Sequence, residues 1–423
     1  MRIIADLHIH SPYARAVSKE MTLENLDYWA RLKGITVIGT GDFTHPAWIK
    51  EIKAKLEPAE VGLYVLKSQI NHKLQNTNSQ TRFMLTVEIS SIYSKGGKTR
   101  RIHNLIFAPS IETAEKINAA LGWQGNLKSD GRPILGLDSK ELAKIVFNAD
   151  FKAVVVPAHA WTPWFSVFGS MSGFDSIEEC FDEFAPQIFA IETGLSSDPA
   201  MNWRLSKLDK IALISNSDSH SLQRIGREAN VFDTELSYDG IIDAIKSHDP
   251  RKFLYTIEFY PEEGKYHYDG HRLCKFSCGP EETKKLNKIC PRCGKPMTIG
   301  VMSRVDQLAD RPPGGKSNVV IPYKNLVPLN EIIAESFGVG VASKKVQAEY
   351  KNLVEKIGSE FEVLVDAQKS DLGRATLPEI VEGIMRVREG RLHIEPGFDG
   401  EYGKVEIFKE GEQKEISQQK SLF

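Results

Sequence analysis

Arg2-Ile3-Ile4-Ala5-Asp6-Leu7-His8-Ile9-His10-Ser11 is an apolar, β-branched run that gives way to two histidines one residue apart. A short run of this kind reads as a buried strand, and imidazoles at its end are costly to bury unless they have a task. Ile211-Ala212-Leu213-Ile214 does the same, ending in Ser215-Asn216-Ser217-Asp218-Ser219-His220-Ser221. One such end proves little, because loops are rich in Asp and His. The pattern recurs, however. Residues 35–39 lead into Thr40-Gly41-Asp42, with His45 three further on; residues 83–87 lead into Glu88; Val154-Val155-Val156-Pro157 leads into His159. His103 breaks the pattern, since it opens the run Asn104-Leu105-Ile106-Phe107 instead of closing one.

Helix-like segments separate these runs. Residues 23–33 are stopped by Gly34, and residues 47–55, 113–121 and 140–148 follow, with Thr22 and either Asp138 or Ser139 as caps. Strands are expected over 2–7, 35–39, 83–87, 102–107, 152–156, 188–191 and 211–214. Alternating strands and helices predict an α/β fold with parallel strands, in an open sheet or a barrel, and functional groups gather at strand ends in both.

The 423 residues suggest two or three domains, and 41% hydrophobic with 26% charged residues is the composition of a globular protein. No apolar run approaches the roughly 18 residues of a membrane span. The N-terminus has no signal-peptide pattern, so an intracellular protein with no membrane partner is expected. The net charge of −2 is unevenly spread: residues 265–324 hold twelve Lys/Arg against five Asp/Glu. That segment reads as a polyanion-facing surface or as a solvated basic face.

Four of the five cysteines fall in the same segment, as Cys274-x3-Cys278 and Cys290-x2-Cys293. Two tight pairs around a polar spacer predict a structural four-thiolate zinc site. His267 and His271, just upstream, are further ligand candidates. Cys180 stands alone and reads as a buried thiol. Beyond a Pro/Gly-rich link at 310–317, helices are expected over 329–336 and 343–357, then over 377–389, with a strand over 404–408. The turn Phe337-Gly338-Val339-Gly340-Val341, followed by Lys344 and Lys345, resembles a helix-hairpin-helix, in which glycine amides and a helix N-terminus meet a backbone phosphate. An ordinary αα-hairpin fits it equally.

Histidine and carboxylate ligands suit Zn, Mn or Fe, and Glu88 could bridge two ions. Two such ions can hold a hydroxide and neutralise phosphoryl oxygens, so the reaction class is metal-assisted phosphoester hydrolysis. No G-x-S-x-G, Walker A or Rossmann fingerprint stands in a suitable context.

Asp6-Leu7-His8-Ile9-His10-Ser11, Thr40-Gly41-Asp42, Glu88, His103, His159 and Ser217-Asp218-Ser219-His220 resemble the ordered motifs of the PHP superfamily, named for polymerase and histidinol phosphatase. The resemblance implies a distorted (β/α)7 barrel with a multinuclear metal centre. His8, His10, Glu88 and Asp218 would surround one ion and Glu88, His103 and His159 a second, with His220 completing the centre and Asp42 in the same catalytic set. Two departures bear on a third ion. The stretch Pro12-Tyr13-Ala14-Arg15-Ala16-Val17-Ser18 lacks the usual acid or histidine, and Asp42-Phe43 replaces Asp-His. Two ions, Zn, Mn or Mg, are therefore preferred over three.

The order of parts, from this domain through G-K-Y-H-Y-D-G-H-R-L-C, the cysteine pairs, I-G-V-M-S-R-V and D-R-P-P-G-G-K, is similar to the endonuclease Q family. That resemblance implies a DNA-repair enzyme that nicks double-stranded DNA 5′ to deoxyuridine, deoxyinosine, xanthosine or an abasic site. The alternative is a small-molecule phosphatase or a 3′–5′ exonuclease with accessory modules. The domains expected are a phosphoesterase barrel (1–262), a basic zinc module and linker (263–325), a helical DNA-binding region (326–408) and a tail (409–423). Trp161, Trp164, Phe165 and Phe168, following His159, could wall a lesion pocket or form an ordinary core cluster. In the tail, Gln419, Leu422 and Phe423 resemble the start of a sliding-clamp peptide, or are a frayed terminus.

Overall fold

The computed structural model describes residues 1–67, 80–318, 320–409 and 412. Strand β1 (Arg2–Asp6) pairs in parallel with β2 (Val37–Gly39), which pairs in parallel with β3 (Arg82–Lys95). These strands read as continuous apolar runs because both of their faces are buried. Ile3, Ala5 and Leu7 pack with Val37, Met84, Leu105, Val154, Val156, Ala190 and Ala212 on one side. Ile4, Ile38 and Leu85 belong to the cluster that includes the apolar faces of the helices.

The expectation of parallel strands holds for β1 to β3 but fails next. The chain turns at Gly96-Gly97 into β4 (Lys98–Ala108), which runs antiparallel to β3 along its whole length, from Leu85↔Ala108 to Lys95↔Lys98. A two-residue turn can join only antiparallel strands. β4 then pairs antiparallel with β5 (Val154–Pro157). This reversal accounts for His103: it lies within β4, opposite Ser90 of the antiparallel β3, and the register rather than a strand end brings it beside Glu88. β6 (Ala190–Glu192) and β7 (Ala212–Ile214) form a parallel pair. Backbone hydrogen bonds flank the pair, Ala160 N to Glu192 O at 2.9 Å and Ser219 N to His8 O at 3.3 Å. On the other edge of β1 lie β8 (Ala229–Asp233) and β9 (Phe253–Glu258), both antiparallel additions.

The longer helices of this part are α1 (Leu23–Lys33), α2 (Pro46–Lys55), α3 (Ile111–Gly122), α4 (Ser139–Ala149) and α5 (Tyr238–Ser247). Thr22 caps α1 by accepting from Asn25 N, and Asp138 caps α4 by accepting from Lys140 N. The cysteine segment forms a ribbon, β10 (Asp269–His271) with β11 (Phe276–Cys278), followed after a gap by α6 (Val301–Leu308). Arg304 of α6 is buried and donates to Phe168 O at 2.9 Å and Phe174 O at 3.0 Å, fastening the segment to the loop after His159. Further on come α7 (Leu329–Phe337), α8 (Lys344–Ile357), α9 (Lys369–Ala375) and α10 (Pro378–Arg388). They are tied to α1 by the buried Lys33–Glu360 pair at 2.7 Å, whose carboxylate also accepts from Tyr350. Among the described residues no helix is long and apolar enough to cross a membrane.

Candidate metal centre

The strand ends converge. Donor atoms of His8, His10 and Glu88 lie within 4.8 Å of one another, as do those of His10, Asp218 and His220, and those of Glu88, His103 and His159. Glu88 links the first group to the third, and His10 links the first to the second. Glu88 Oε1 lies 2.7 Å from His103 Nδ1 and 3.0 Å from His159 Nε2, and its Oε2 lies 3.5 Å from His10 Nε2. Asp218 Oδ1 is 3.1 Å from His10 Nε2 and 3.5 Å from His8 Nε2. His103 sits opposite Ser90 in the β3–β4 ladder, so it shares a face with Glu88 two residues away. Asp42, His159 and Asp218 all have positive φ, of 47°, 30° and 47°. Non-glycine residues adopt this conformation at a cost, and here it turns His159 and Asp218 into the centre and Asp42 behind the His10 ring.

Two carboxylates behind the imidazoles fix which nitrogen faces the centre. Glu192, at the end of β6, lies 3.0 Å from His8 Nδ1 and also accepts from Asn216 Nδ2 and His159 N. Asp42 lies 3.0 Å from His10 Nδ1 and accepts from both Ser11 N and Ser11 Oγ. A carboxylate holding Nδ1–H leaves the Nε2 lone pair of each ring for a cation. Asp42 is thus fully buried behind a ligand candidate, without being one itself.

The charges of the site show how strongly its carboxylates attract positive charge, which a bound cation would supply in place of protons on Nε2. Burial pulls His8 down, yet Glu192 and Asp218 hold it well above the ordinary imidazole range; His10, likewise buried, is raised by Asp42 and Asp218 to about 9. Burial would raise Glu88, but His103 and Arg132 hold it well below the usual carboxylate range, and Asp218 is lowered by His8 and His10. Burial takes His103 down to about 4 against the pull of Glu88. The carboxylates stay ionised and draw positive charge inward. His8 Nε2 is buried without a hydrogen-bond partner while aimed at two carboxylates, which a divalent ion would satisfy.

Arg132 and Glu192 are members of this site that the sequence reading does not single out. Arg132 Nη1 lies 3.0 Å from Glu88 Oε2. Glu192 directly closes the run 188–191, so the strand-end rule applies to it; Arg132 lies in an aperiodic Pro/Gly-rich stretch that carries no such signal. His45 stays outside the group, its ring stacked on Tyr13 at 4.4 Å between centroids.

In the ribbon, the donor atoms of His271, Cys274, Cys290 and Cys293 lie within 4.8 Å of one another. Cys278 is outside that group: it pairs with Asp269 in the ladder, away from the turn, and its Sγ lies 3.3 Å from Thr283 Oγ1. The physical reason is spacing. His271-x2-Cys274 and Cys290-x2-Cys293 are matching two-residue knuckles, whereas Cys278 stands four residues beyond Cys274 on the strand.

Of the aromatic candidates, Trp161 faces the core, fully buried against Phe168, with its Nε1 on Asn202 Oδ1 at 2.7 Å. It therefore cannot line an open pocket. Trp164 is 37% exposed and meets Tyr266 of the cysteine segment edge to face. The Phe165 ring lies 4.7 Å from His103. Between α7 and α8, Gly338 takes φ 63°, which ends α7, and both it and Gly340 face open space. Lys344 is exposed, and Lys345 Nζ lies 3.6 Å above the Phe337 ring. Gln419, Leu422 and Phe423 lie outside the described residues.

Histidines and carboxylates gathered at the strand ends of an α/β fold, around a shared buried glutamate, define a metal-dependent phosphoesterase. The crystal structure of the lesion-specific endonuclease PfuEndoQ from Pyrococcus furiosus matches with a TM-score of 0.84 and 31% identity, covering 97% of this chain and 96% of that one. An endonuclease Q complex with a 27-mer duplex substrate carrying an abasic lesion at the active site matches with a TM-score of 0.82 and 32% identity, over 97% and 98%. The Bacillus subtilis protein YqxK is 29% identical over 96% of this chain and 99% of its own length. The protein MJ0043 of Methanocaldococcus jannaschii is 35% identical over 258 residues, and the match spans about a third of that longer protein, 31%. Residues 328–391 match the family model described as MJ0043 C-terminal domain. The chain belongs to the endonuclease Q family and is a DNA-repair endonuclease.

Proposed function

We propose that this endonuclease hydrolyses the phosphodiester 5′ to a deaminated base (deoxyuridine, deoxyinosine or xanthosine) or an abasic site in duplex DNA. The observation that carries the reading is the buried Glu88 shared by two of the three ligand groups, beside an unpartnered His8 Nε2. His8, His10, Glu88 and Asp218 would hold one ion and Glu88, His103 and His159 a second, with His220 at the rim; two ions, Zn, Mn or Mg, fit better than three. Such ions supply a hydroxide at neutral pH and offset charge on the phosphoryl oxygens. The chain's own part is to keep protons on His8 Nδ1 and His10 Nδ1 through Glu192 and Asp42, and to exclude bulk water from the floor of the site.

Residues 1–262 act in this reading as the catalytic domain. A closed (β/α)7 barrel is supported by one apolar cluster shared by β1 to β7 and by the hydrogen bonds flanking β6 and β7. Residues 263–325 form a zinc module, with His271, Cys274, Cys290 and Cys293 as ligands, and residues 326–408 a DNA-binding region. The open turn at Gly338 and Gly340, with Lys344 and Lys345 following, suits a backbone phosphate. Trp164 and Phe165 are the aromatic faces available to an extruded nucleotide. The tail 409–423, through Gln419, Leu422 and Phe423, would tether the enzyme to the sliding clamp.

Incubation of the metal-loaded protein with a labelled duplex carrying one deoxyuridine, in parallel with a phosphomonoester, tests the reading. Nicking 5′ to the lesion is expected. Phosphate release from the monoester without nicking would make it a small-molecule phosphatase instead.

A further inference from the structure

The centre is closed on most sides and open on one. The Glu88 side chain is 0% exposed, whereas Asp218 is 26%, Arg132 27% and His220 35% exposed. These three are the members of the site that solvent reaches most, so they mark its mouth. Among the described residues, Arg132 is the one Lys or Arg side chain ion-paired with a member of the centre. It meets Glu88 through Oε2, the oxygen not shared by His103 and His159.

Its backbone is held from both sides. Asp130 Oδ1 accepts from Arg132 N and Arg15 N, each at 3.1 Å, and Gly131 N donates to Tyr13 O. Gly131 lies so close to Asp42 that any Cβ there would collide with the carboxylate. On the other side, Pro133 O accepts from Ser90 N at 3.0 Å, and Ile134 pairs with Ser90 of β3. The chain therefore pins Arg132 between the loop after His10 and the strand that carries Glu88.

A guanidinium pinned beside a cluster of divalent ions is repelled unless an anion lies between them. With Glu88 holding divalent ions, the anion that would take its place beside Arg132 is the substrate phosphate. Resting on the phosphodiesterase reading above, we propose that Arg132 is a catalytic residue that moves from Glu88 to the non-bridging oxygens of the scissile phosphate. It donates N–H bonds without transferring a proton; the water oxygen bonds to phosphorus and gives up a proton to solvent, the bond from phosphorus to the 3′ oxygen breaks, and that oxygen takes up a proton from solvent. Its planar fork suits paired oxygens, which a lysine cannot match. Charge on those oxygens grows or redistributes in the transition state, so the effect falls on rate more than on binding.

The test uses full-length, metal-loaded protein and a duplex with a single abasic site, under single-turnover conditions. Arg132→Ala is expected to slow nicking at least ~100-fold, about 2.7 kcal/mol at 1.36 kcal/mol per decade. Bound metal by mass spectrometry and duplex Kd should stay within about threefold. Added guanidinium, at concentrations that leave the wild type unchanged, should restore part of the lost rate. Arg132→Lys, which keeps the charge, should still fall at least ~10-fold and decides the matter if the alanine variant does not fold. The proposal is overturned by either variant nicking within threefold of wild type, by loss of metal in step with rate, or by no response to guanidinium. A wild type that nicks no damaged duplex would instead refute the phosphodiesterase reading.

Discussion

Glu258 gives the sharpest test of the buried electrostatics behind the site. Its carboxyl, at the end of β9, is fully buried and accepts from Thr193 Oγ1 at 2.9 Å and Thr256 Oγ1 at 2.5 Å. Burial raises it from its ordinary 4.5 to about 8, more than the threonine hydrogen bonds lower it. The folded protein therefore holds a proton that the unfolded chain gives up, and folding binds protons between these values. Stability from this group is complete below pH 4.5 and is lost as pH rises toward 8. At 1.36 kcal/mol for each pH unit, the whole window is worth roughly 5 kcal/mol, and the step from pH 5.5 to 8 about 3 kcal/mol. Glu258→Gln removes the titration while keeping an acceptor for the threonines. The glutamine protein should be within about 1.5 kcal/mol of wild type at pH 5.5. By pH 9 it should be the more stable by about 2 kcal/mol or more. Urea unfolding at the two pH values measures this. A difference between the proteins that is the same at both, within about 0.5 kcal/mol, would refute the reasoning. Glu228, also raised by burial and by Glu258, is present in both proteins and eases in the variant, which adds to the expected sign.

Three further outcomes are expected. Glu192→Gln should weaken metal binding by about 10–100-fold with little change in fold, because the His8 ring loses the carboxylate that orients it; an unchanged titration would remove Glu192 from that role. His271→Ala should release the metal proposed for the cysteine segment and destabilise it, while Cys278→Ser should keep the metal; retention by the first and loss by the second would put Cys278 in the shell. Trp164→Ala should narrow the difference in nicking rate between abasic and undamaged duplex while leaving the melting temperature within a few degrees, and unchanged selectivity would end its part in lesion recognition.

Much of the fold was legible because burial on both faces leaves a plain mark. The runs beginning at Arg2, Ile35, Phe83 and Ile211 each became strands, and α1 spans residues 23–33 as expected, with Gly34 as its stop. Strand direction was not legible. It depends on the Gly96-Gly97 turn, which joins β3 and β4 as a long hairpin and breaks the parallel order. Periodicity reports which residues are buried, not which way the chain is travelling. The extent of β3 was missed for a related reason: Ser90 and Ser91 look like a loop, yet both are buried in the ladder.

At the site, residue type and strand ends mark Asp42 and Glu192 as readily as the ligand candidates; what they do not mark is which group faces an ion and which aims a ring. His8, His10, His159, Asp218 and His220 follow strand ends, which the sequence marks, while Glu88 and His103 lie within β3 and β4 and are brought together by the hairpin register. The orienting groups need only lie behind a ring, and any element may supply them: Glu192 reaches His8 from β6, and Asp42 reaches His10 from the turn after β2. Asp42 was noticed, but its chemistry is that of a support, which only the 3.0 Å contact to Nδ1 distinguishes from ligation. Ribbon spacing shows the same limit from the other side. Counting cysteines favours Cys278, while counting the residues between ligands favours His271, because a knuckle is a turn and x2 is the length that brings both ends to one ion. Residue type proposes the ligand, but the backbone path between ligands decides which of two chemically competent side chains can arrive.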